Sequence, residues 1–371
     1  MSIDSVIPLR RSRMPELSEL EMYLKHIDKS KNYSNRSDLV LQLEKRISEH
    51  LGISDKNIVV LSSGFSALTL GIKLLTAKEN KKKFCVVPSF TFPGTVSSIL
   101  FAGLEPYFID ISPNGFCLSV DSLKNEFKGN YSDIACVVPV GTFGIRPDIN
   151  EWALFENDTN TKVFYDLAWN FDNYPYEKKI NSMISLHASK ILGCGEGGII
   201  TLEDADFKSE IIKNSNFGLG DEKKLETIGI NAKMSEYHAA VGLAAMDIWN
   251  ITKKLNIELQ KKFINFFDKR KNFSILKGLN ADFCWMSCVI HSDEKKIRYL
   301  EEELTNNKIE SRRWWGNLCH ESNPCQAYGR GPMNESIRIS KQHINIPFFT
   351  DMSNKEIEKI FKVIEIIDNE L

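Results

Sequence analysis

Lys162-Val163-Phe164-Tyr165-Asp166 is a short run, apolar at its centre and closed by a carboxylate. It is too short for a buried helix and shows no alternation, so it reads as a strand covered on both faces. The same pattern recurs on either side of it. Ile58-Val59-Val60-Leu61 and the stretches 84–87, 106–110, 134–140, 182–186 and 198–202 are continuous apolar runs bounded by turn residues. Between them, residues 39–51, 66–75 and 97–102 carry apolar positions at helical spacing. Strands alternating with helices predict an α/β fold with a mostly parallel sheet buried on both faces, over residues 1–250. Farther on, residues 234–249 form an Ala-rich amphipathic segment, and 251–267 read as a charged helix joining two domains. Strand patterns at 284–290 and 336–339, with helices at 293–306 and 354–369, suit a smaller α+β domain at 251–371.

The 371 residues are enough for two domains. A hydrophobic share of 42% and a charged share of 26% are ordinary for a globular chain and exclude global disorder. Lys and Arg number 47 against 49 Asp and Glu, a formal net charge of -2. With no basic excess and no basic stripe, no nucleic-acid partner is expected. No apolar run approaches the ~20 residues of a spanning helix, so no membrane partner is expected either. Residues 1–9 lack a cationic segment followed by an apolar one, which argues against a signal peptide and for the cytoplasm. Cysteines at 85, 117, 136, 194, 284, 288, 319 and 325 contain no CxxC pair. They read as reduced, space-filling thiols, and no metal site is expected. The lysines at 81–83 read as a helix cap or a loop lining.

Three features sit at strand ends, where open α/β sheets place ligands. Ser62-Ser63-Gly64-Phe65-Ser66 is a small, hydroxyl-rich turn before a helix. It is either an anion cradle of free backbone N–H groups or a plain capped turn. Asp166 follows an apolar run, so it either meets a cation or caps a helix. Lys190 closes Ser185-Leu186-His187-Ala188-Ser189-Lys190, ahead of Gly195-Glu196-Gly197-Gly198. A desolvated Lys there would be a nucleophile able to form a Schiff base, and the alternative is a solvated hairpin. Taken together, anion grip, carboxylate and amine are the parts that pyridoxal phosphate requires.

The chain resembles the DegT/StrS family of sugar-nucleotide aminotransferases over nearly its whole length. Ile7-Pro8-Leu9-Arg10 is similar to the family's opening. Val87-Pro88-Ser89-Phe90-Thr91-Phe92, Phe108-Ile109-Asp110-Ile111, and Val138-Pro139-Val140 with Phe143-Gly144 match successive blocks. So do Ser185 to Lys190 with the glycine block at 195–198, and Asn231-Ala232-Lys233-Met234-Ser235-Glu236. The resemblance implies a fold-type I architecture, with a mostly parallel seven-stranded sheet, and a homodimer with shared active sites. It implies that Lys190 binds pyridoxal phosphate and then moves the substrate proton. Asp166 would pair with the pyridine nitrogen, while Phe92 and Ala168 would bracket the ring. Ser185 and the amides around Gly64, Phe65 and Ser66 would hold the phosphate, with Asn231 arriving from the partner. His187 would wall the site.

Two positions depart from the family pattern. Phe65 stands where a Thr is usual, with Ser66 as its expected substitute. Trp169 stands where Gln or His often meets the cofactor's phenolic oxygen, with Asn170 as the expected substitute. Phe143-Gly144 with Pro147, Asp148 and Trp152, Phe171-Asp172, and Arg312-Arg313-Trp314-Trp315-Gly316 with His320 resemble members that aminate dTDP-4-keto-6-deoxyglucose at C4. On that resemblance L-glutamate is the amino donor, the product serves O-antigen or related glycan synthesis, and Arg312 or Arg313 neutralises the substrate pyrophosphate. Trp314 and His320 would join them at the substrate. The rival readings are C3 amination to a dTDP-3-amino-3,6-dideoxyhexose, a sugar dehydratase, and a non-catalytic regulatory or binding protein on the same fold.

Overall fold

A computed structural model describes residues 6–79, 82–113, 115–280 and 282–371. Lys81 of the lysine run lies outside the described residues, as do residues 1–5. The strands are β1 (Ile58–Leu61), β2 (Phe84–Pro88), β3 (Glu105–Ile109), β4 (Ile134–Val137), β5 (Lys162–Val163), β6 (Tyr165–Asp166), β7 (Ser182–Ser185), β8 (Gly198–Thr201), β9 (Ser274–Ile275), β10 (Cys288–His291) and β11 (His343–Ile346). Hydrogen bonding groups them into two four-stranded sheets, ordered β3-β2-β4-β5 and β1-β8-β7-β6, and a three-stranded antiparallel sheet, β11-β10-β9.

The two larger sheets meet along one piece of chain. Residues 162–163 pair with β4, and residues 165–166 pair with β7. Phe164 N–H donates to Val137 O at 3.0 Å, and Asp166 N–H to Pro139 O at 3.0 Å. Every pairing on the β4 side is parallel, and only β8 runs against its neighbours. The C-terminal ends of β1, β2, β4, β6 and β7 therefore converge on one edge. Asp166 and Ser185, the last residues of β6 and β7, lie there, as do the turns that follow β1 and β2.

The helices are α1 (Leu17–Ser30), α2 (Asp38–Leu51), α3 (Gly64–Leu75), α4 (Pro93–Phe101), α5 (Val120–Phe127), α6 (Ile149–Thr159), α7 (Phe207–Ser215), α8 (Glu236–Asp247), α9 (Trp249–Phe267), α10 (Glu294–Asn306), α11 (Asn334–Lys341) and α12 (Asn354–Glu370). Two apolar cores line the large sheets. One includes Leu43, Ile47 and Leu243, and the other Leu68, Val87 and Ile200. A third core is built mainly from α9 onward, around Phe263, Ile290 and Ile360, and takes in Ile7, Phe90 and Phe143 from earlier in the chain.

One expected element is different. Residues 336–339 are helical, inside α11, and the strand is β11 just after them. Ser336-Ile337-Arg338-Ile339 alternates like a strand, but Ile337 is exposed while Ser336 and Ile339 are buried. The decisive interaction is distant. Asp110, one residue past β3, accepts hydrogen bonds from Glu335 N–H (2.7 Å), Ser336 N–H (2.7 Å) and Ser336 Oγ (2.6 Å). A carboxylate satisfying otherwise free amides at a helix start favours helix locally and ties α11 to the large sheet. Asp110→Ala is expected to lower stability by about 2 kcal/mol, because it strands these donors. A lower urea midpoint checks it; an unmoved midpoint would show that the clamp adds nothing.

Candidate active site

Where the strand ends converge, a cavity of about 410 Å³ opens. Its lining includes Gly64, Phe65, Phe92, Ala168, Ser185, His187 and Lys190, with Asp166 at its floor and Arg312 and Trp314 from the far side. Most of the residues singled out from the sequence, separated by up to about 250 positions, are thus brought to one place.

Asp166 is buried, and its two oxygens are held separately. Thr95 Oγ1 donates to Oδ2 at 2.7 Å, and Ala168 N–H donates to Oδ1 at 3.1 Å. Burial pushes its pKa up, and those two donors and Lys190 pull the other way. Lys190 faces the same cavity. Burial, then the nearby Arg10, lowers its pKa from the ordinary lysine range to about 7, with Asp166 opposing both. The result is an amine that is substantially neutral, hence nucleophilic, near pH 7. Its Nζ lies 5.1 Å from the centre of the Trp169 ring.

The turn before α3 is shaped for close approach. Ser63 caps the helix, its Oγ accepting from Ser66 N–H at 3.1 Å. A Cβ on Gly64 would come within 3.2 Å of Ser185 Cβ and 3.3 Å of its Oγ, intruding where the helix start faces that hydroxyl. A Cβ on Gly198 would collide with Ser63 O at 2.4 Å, so only glycine lets β8 pass beneath the turn. The helix start and the Ser185 hydroxyl face one another there, an arrangement of donors that suits an anion. Ser66 does not join it: its amide is taken by Ser63, its hydroxyl meets Ser63 Oγ at 2.9 Å, and it does not line the cavity.

Phe92 lies at the cavity rim and is 62% exposed, so it is not a core residue. His187 accepts at Nδ1 from Ser189 N–H (3.1 Å), which leaves Nε2 facing Glu196 at 3.6 Å. Trp169, Trp314 and Trp315 form an aromatic wall. Trp169 meets Trp314 edge-on at 5.7 Å, and Trp315 stacks on Phe143 at 5.4 Å.

Several expected residues are elsewhere. Arg313 turns outward to pair with Glu301 at 2.7 Å and does not line the cavity. His320 is buried against the strand side; its backbone N–H donates to Ser89 Oγ, and its Nδ1 hydrogen-bonds the same hydroxyl at 2.6 Å. It is a packing residue, away from the cavity. Asn170 is also buried, its Nδ2 donating to Gly144 O at 2.8 Å, and so cannot stand in for Trp169. Asn231 lies outside the cavity, where its Oδ1 accepts from Lys233 at 2.8 Å; the cap of α8 is Ser235. Conversely, sequence reasoning gave no role to Thr95, Arg10 or Glu196, all of which line the cavity. Arg10 and Glu196 stood within matched blocks, whereas nothing local marked Thr95.

Among the described residues no cluster of three or more His, Cys, Asp or Glu suits a metal, and no helix is long and apolar enough to cross a membrane.

The profile of the DegT/DnrJ/EryC1/StrS aminotransferase family matches residues 16–365, beginning after Arg10. A dTDP-4-amino-4,6-dideoxy-D-glucose transaminase from Shigella dysenteriae is 30% identical over 98% of this chain and 100% of its own. One of the same name from Escherichia coli is 26% identical over 97% and 98%. The crystal structure of a putative PLP-dependent aminotransferase from Bacillus cereus ATCC 10987 superposes with a TM-score of 0.88 at 26% identity, covering 97% of this chain and 100% of that one.

The lowered Lys190 pKa has a direct consequence. Below about pH 7 the group is protonated and unreactive, and above it the free amine persists. Modification of Lys190 in the cofactor-free protein by an amine-selective aldehyde, followed by peptide mass analysis, should rise through a midpoint near pH 7. A midpoint in the ordinary range of about 10.4 would show that the amine is solvated.

Proposed function

Given that the chain belongs to the DegT/DnrJ/EryC1/StrS aminotransferase family, we propose that it moves an amino group from L-glutamate to dTDP-4-keto-6-deoxy-D-glucose, giving dTDP-4-amino-4,6-dideoxy-D-glucose for O-antigen or a related glycan. The observation that carries the chemistry is the neutralisable Lys190 amine facing the buried Asp166 carboxylate across one cavity. The choice of sugar is supported by the two relatives that bear that product's name.

The residues fit pyridoxal phosphate. The glycine-shaped helix start with Ser185 suits its phosphate, Asp166 its ring nitrogen, and Lys190 its aldehyde. When bound, the cofactor supplies a carbonyl for the amine and a ring that takes up the electron pair left when a proton departs the substrate carbon. The chain does the rest. Asp166, held in line by Thr95 and by the Ala168 amide, would keep a proton on the ring nitrogen. That cationic nitrogen would offset the desolvation that otherwise drives this carboxyl toward neutrality. Phe92 and Ala168 would hold the ring between them. Lys190 would carry the proton between the substrate carbon and the carbon that bore the cofactor's aldehyde. Arg312 meets the substrate's phosphates at the rim, and the Trp169–Trp314 wall stacks on sugar or base.

A homodimer with shared sites is part of the proposal. Phe92, Phe65 and Phe101 are exposed around the cavity, the last two in edge contact at 5.6 Å, and such apolar surface suits burial by a second copy. Asn231 of that copy would then complete the phosphate cradle. A cytoplasmic location is supported by eight cysteines that are all free thiols.

The test is product analysis. Loaded enzyme given L-glutamate and dTDP-4-keto-6-deoxyglucose should yield the C4 amine by NMR. An amine at C3 would replace the sugar assignment, and a protein that never takes up the cofactor would favour a binding role. Lys190→Ala should be colourless and inactive. Asp166→Asn should keep the fold and lose about 100-fold or more in turnover, since a preorganised charge is removed.

A further inference from the structure

The chain before α1 is an arm held by the small domain. Ile7 N–H donates to Lys308 O and Glu310 N–H to Ile7 O, both at 2.9 Å. Leu9 N–H donates to Glu310 Oε2 at 2.8 Å, and Arg11 pairs with Glu356 at 3.0 Å and Asp351 at 3.3 Å. Positions 7, 9 and 11 are thus committed to the small domain. The backbone bends at Leu9, and Arg10 lines the cavity.

There the Arg10 guanidinium is positioned by rings. Its Cζ lies 4.0 Å from the centre of Trp314 and 4.7 Å from that of Trp169. Its Nε and Nη2 are buried, and among the described residues neither has a hydrogen-bond partner. Burial, then repulsion from Arg312, lowers its pKa to about 9. A buried cation with free N–H groups is costly unless something supplies acceptors. The Trp169 ring it rests against is the one beside Lys190 Nζ.

Resting on the transaminase reading above, we propose that Arg10 docks a carboxylate of the amino donor. A guanidinium presents two parallel N–H bonds to two carboxylate oxygens. The donor carries a carboxylate on the very carbon whose proton Lys190 removes, so that anion must lie close to Lys190, as Arg10 does. The charges of a nucleotide sugar are its phosphates, separated from the reacting carbon by the sugar ring and the glycosidic oxygen. Arg312, exposed at the cavity rim, is placed for those. Two cations thus divide two anionic substrates that occupy the cavity in turn.

The test uses enzyme loaded with pyridoxal phosphate. Stopped-flow absorbance follows the half-reaction with L-glutamate alone, giving a Kd and a limiting rate. Calorimetry measures binding of dTDP-glucose, which carries the nucleotide and sugar but no keto group. Arg10→Gln should raise the glutamate Kd about 100-fold, while the Kd for dTDP-glucose moves less than about threefold. Arg10→Lys, which keeps the charge and loses the fork, should fall between, near about tenfold. The cofactor absorbance retained in both variants reports an intact cavity. An unchanged glutamate Kd, or equal weakening of both ligands, would overturn the assignment. Weakening of dTDP-glucose alone would overturn it too, making Arg10 a phosphate contact. A wild-type enzyme that reacts with no donor amino acid would bring down the transaminase reading itself, and this assignment with it.

Discussion

A lysine amine and an aspartate carboxylate share one desolvated cavity, and much of the surrounding architecture is what makes that tolerable. Removing either charge from water is expensive, and mutual attraction offsets the cost only where remaining lone pairs and protons are satisfied. Asp166 meets this condition through Thr95, which reaches it from α4, and through the Ala168 amide two residues on. Lys190 meets it differently, by surrendering its proton near neutrality. Both depend on strands that end at the same edge, and that in turn depends on the parallel pairing of the short piece 162–166 between β4 and β7. Gly198 serves the same edge, since any side chain there would displace the turn that starts α3.

The chain after α10 supplies the opposite wall and part of its charge. Arg312 is set in place by a backbone pair with Asn345 of β11, its N–H donating to Asn345 O at 3.0 Å. Trp314 follows it, its carbonyl hydrogen-bonded to His343. The arm brings Arg10 to the same wall. Arg10 and Arg312 thus stand together over Trp314 on one side of the cavity. Two cations on one side of a cleft with low-dielectric walls focus the field there and favour anionic ligands. Both proposed substrates are anions, so the field and the chemistry agree.

What the sequence disclosed and what it withheld follow the range of the deciding interaction. The apolar runs at 58–61, 84–87 and 134–137 were legible because burial on both faces demands continuous apolar residues. Asp166 and Lys190 were legible because a charge beside such a run needs a reason. Residues 336–339 were misread because their helix is fixed by Asp110, more than two hundred positions away. His320 and Arg313 looked like substrate contacts until Ser89 and Glu301 claimed them. Thr95 reaches Asp166 across 71 positions, and no local pattern announces a threonine that orients a carboxylate.

Arg10 shows why a ring wall is a useful support for a binding cation. A guanidinium fixed by carboxylates, as Arg11 is by Asp351 and Glu356, has its donors engaged and its charge neutralised. One stacked on indole faces keeps its place through the ring quadrupoles while its N–H edge stays free for a ligand. The adjacent arginines of the arm thus do opposite work with the same side chain. Arg11 closes the arm onto α12, and its neighbour carries an open charge to the cavity of the reactive lysine.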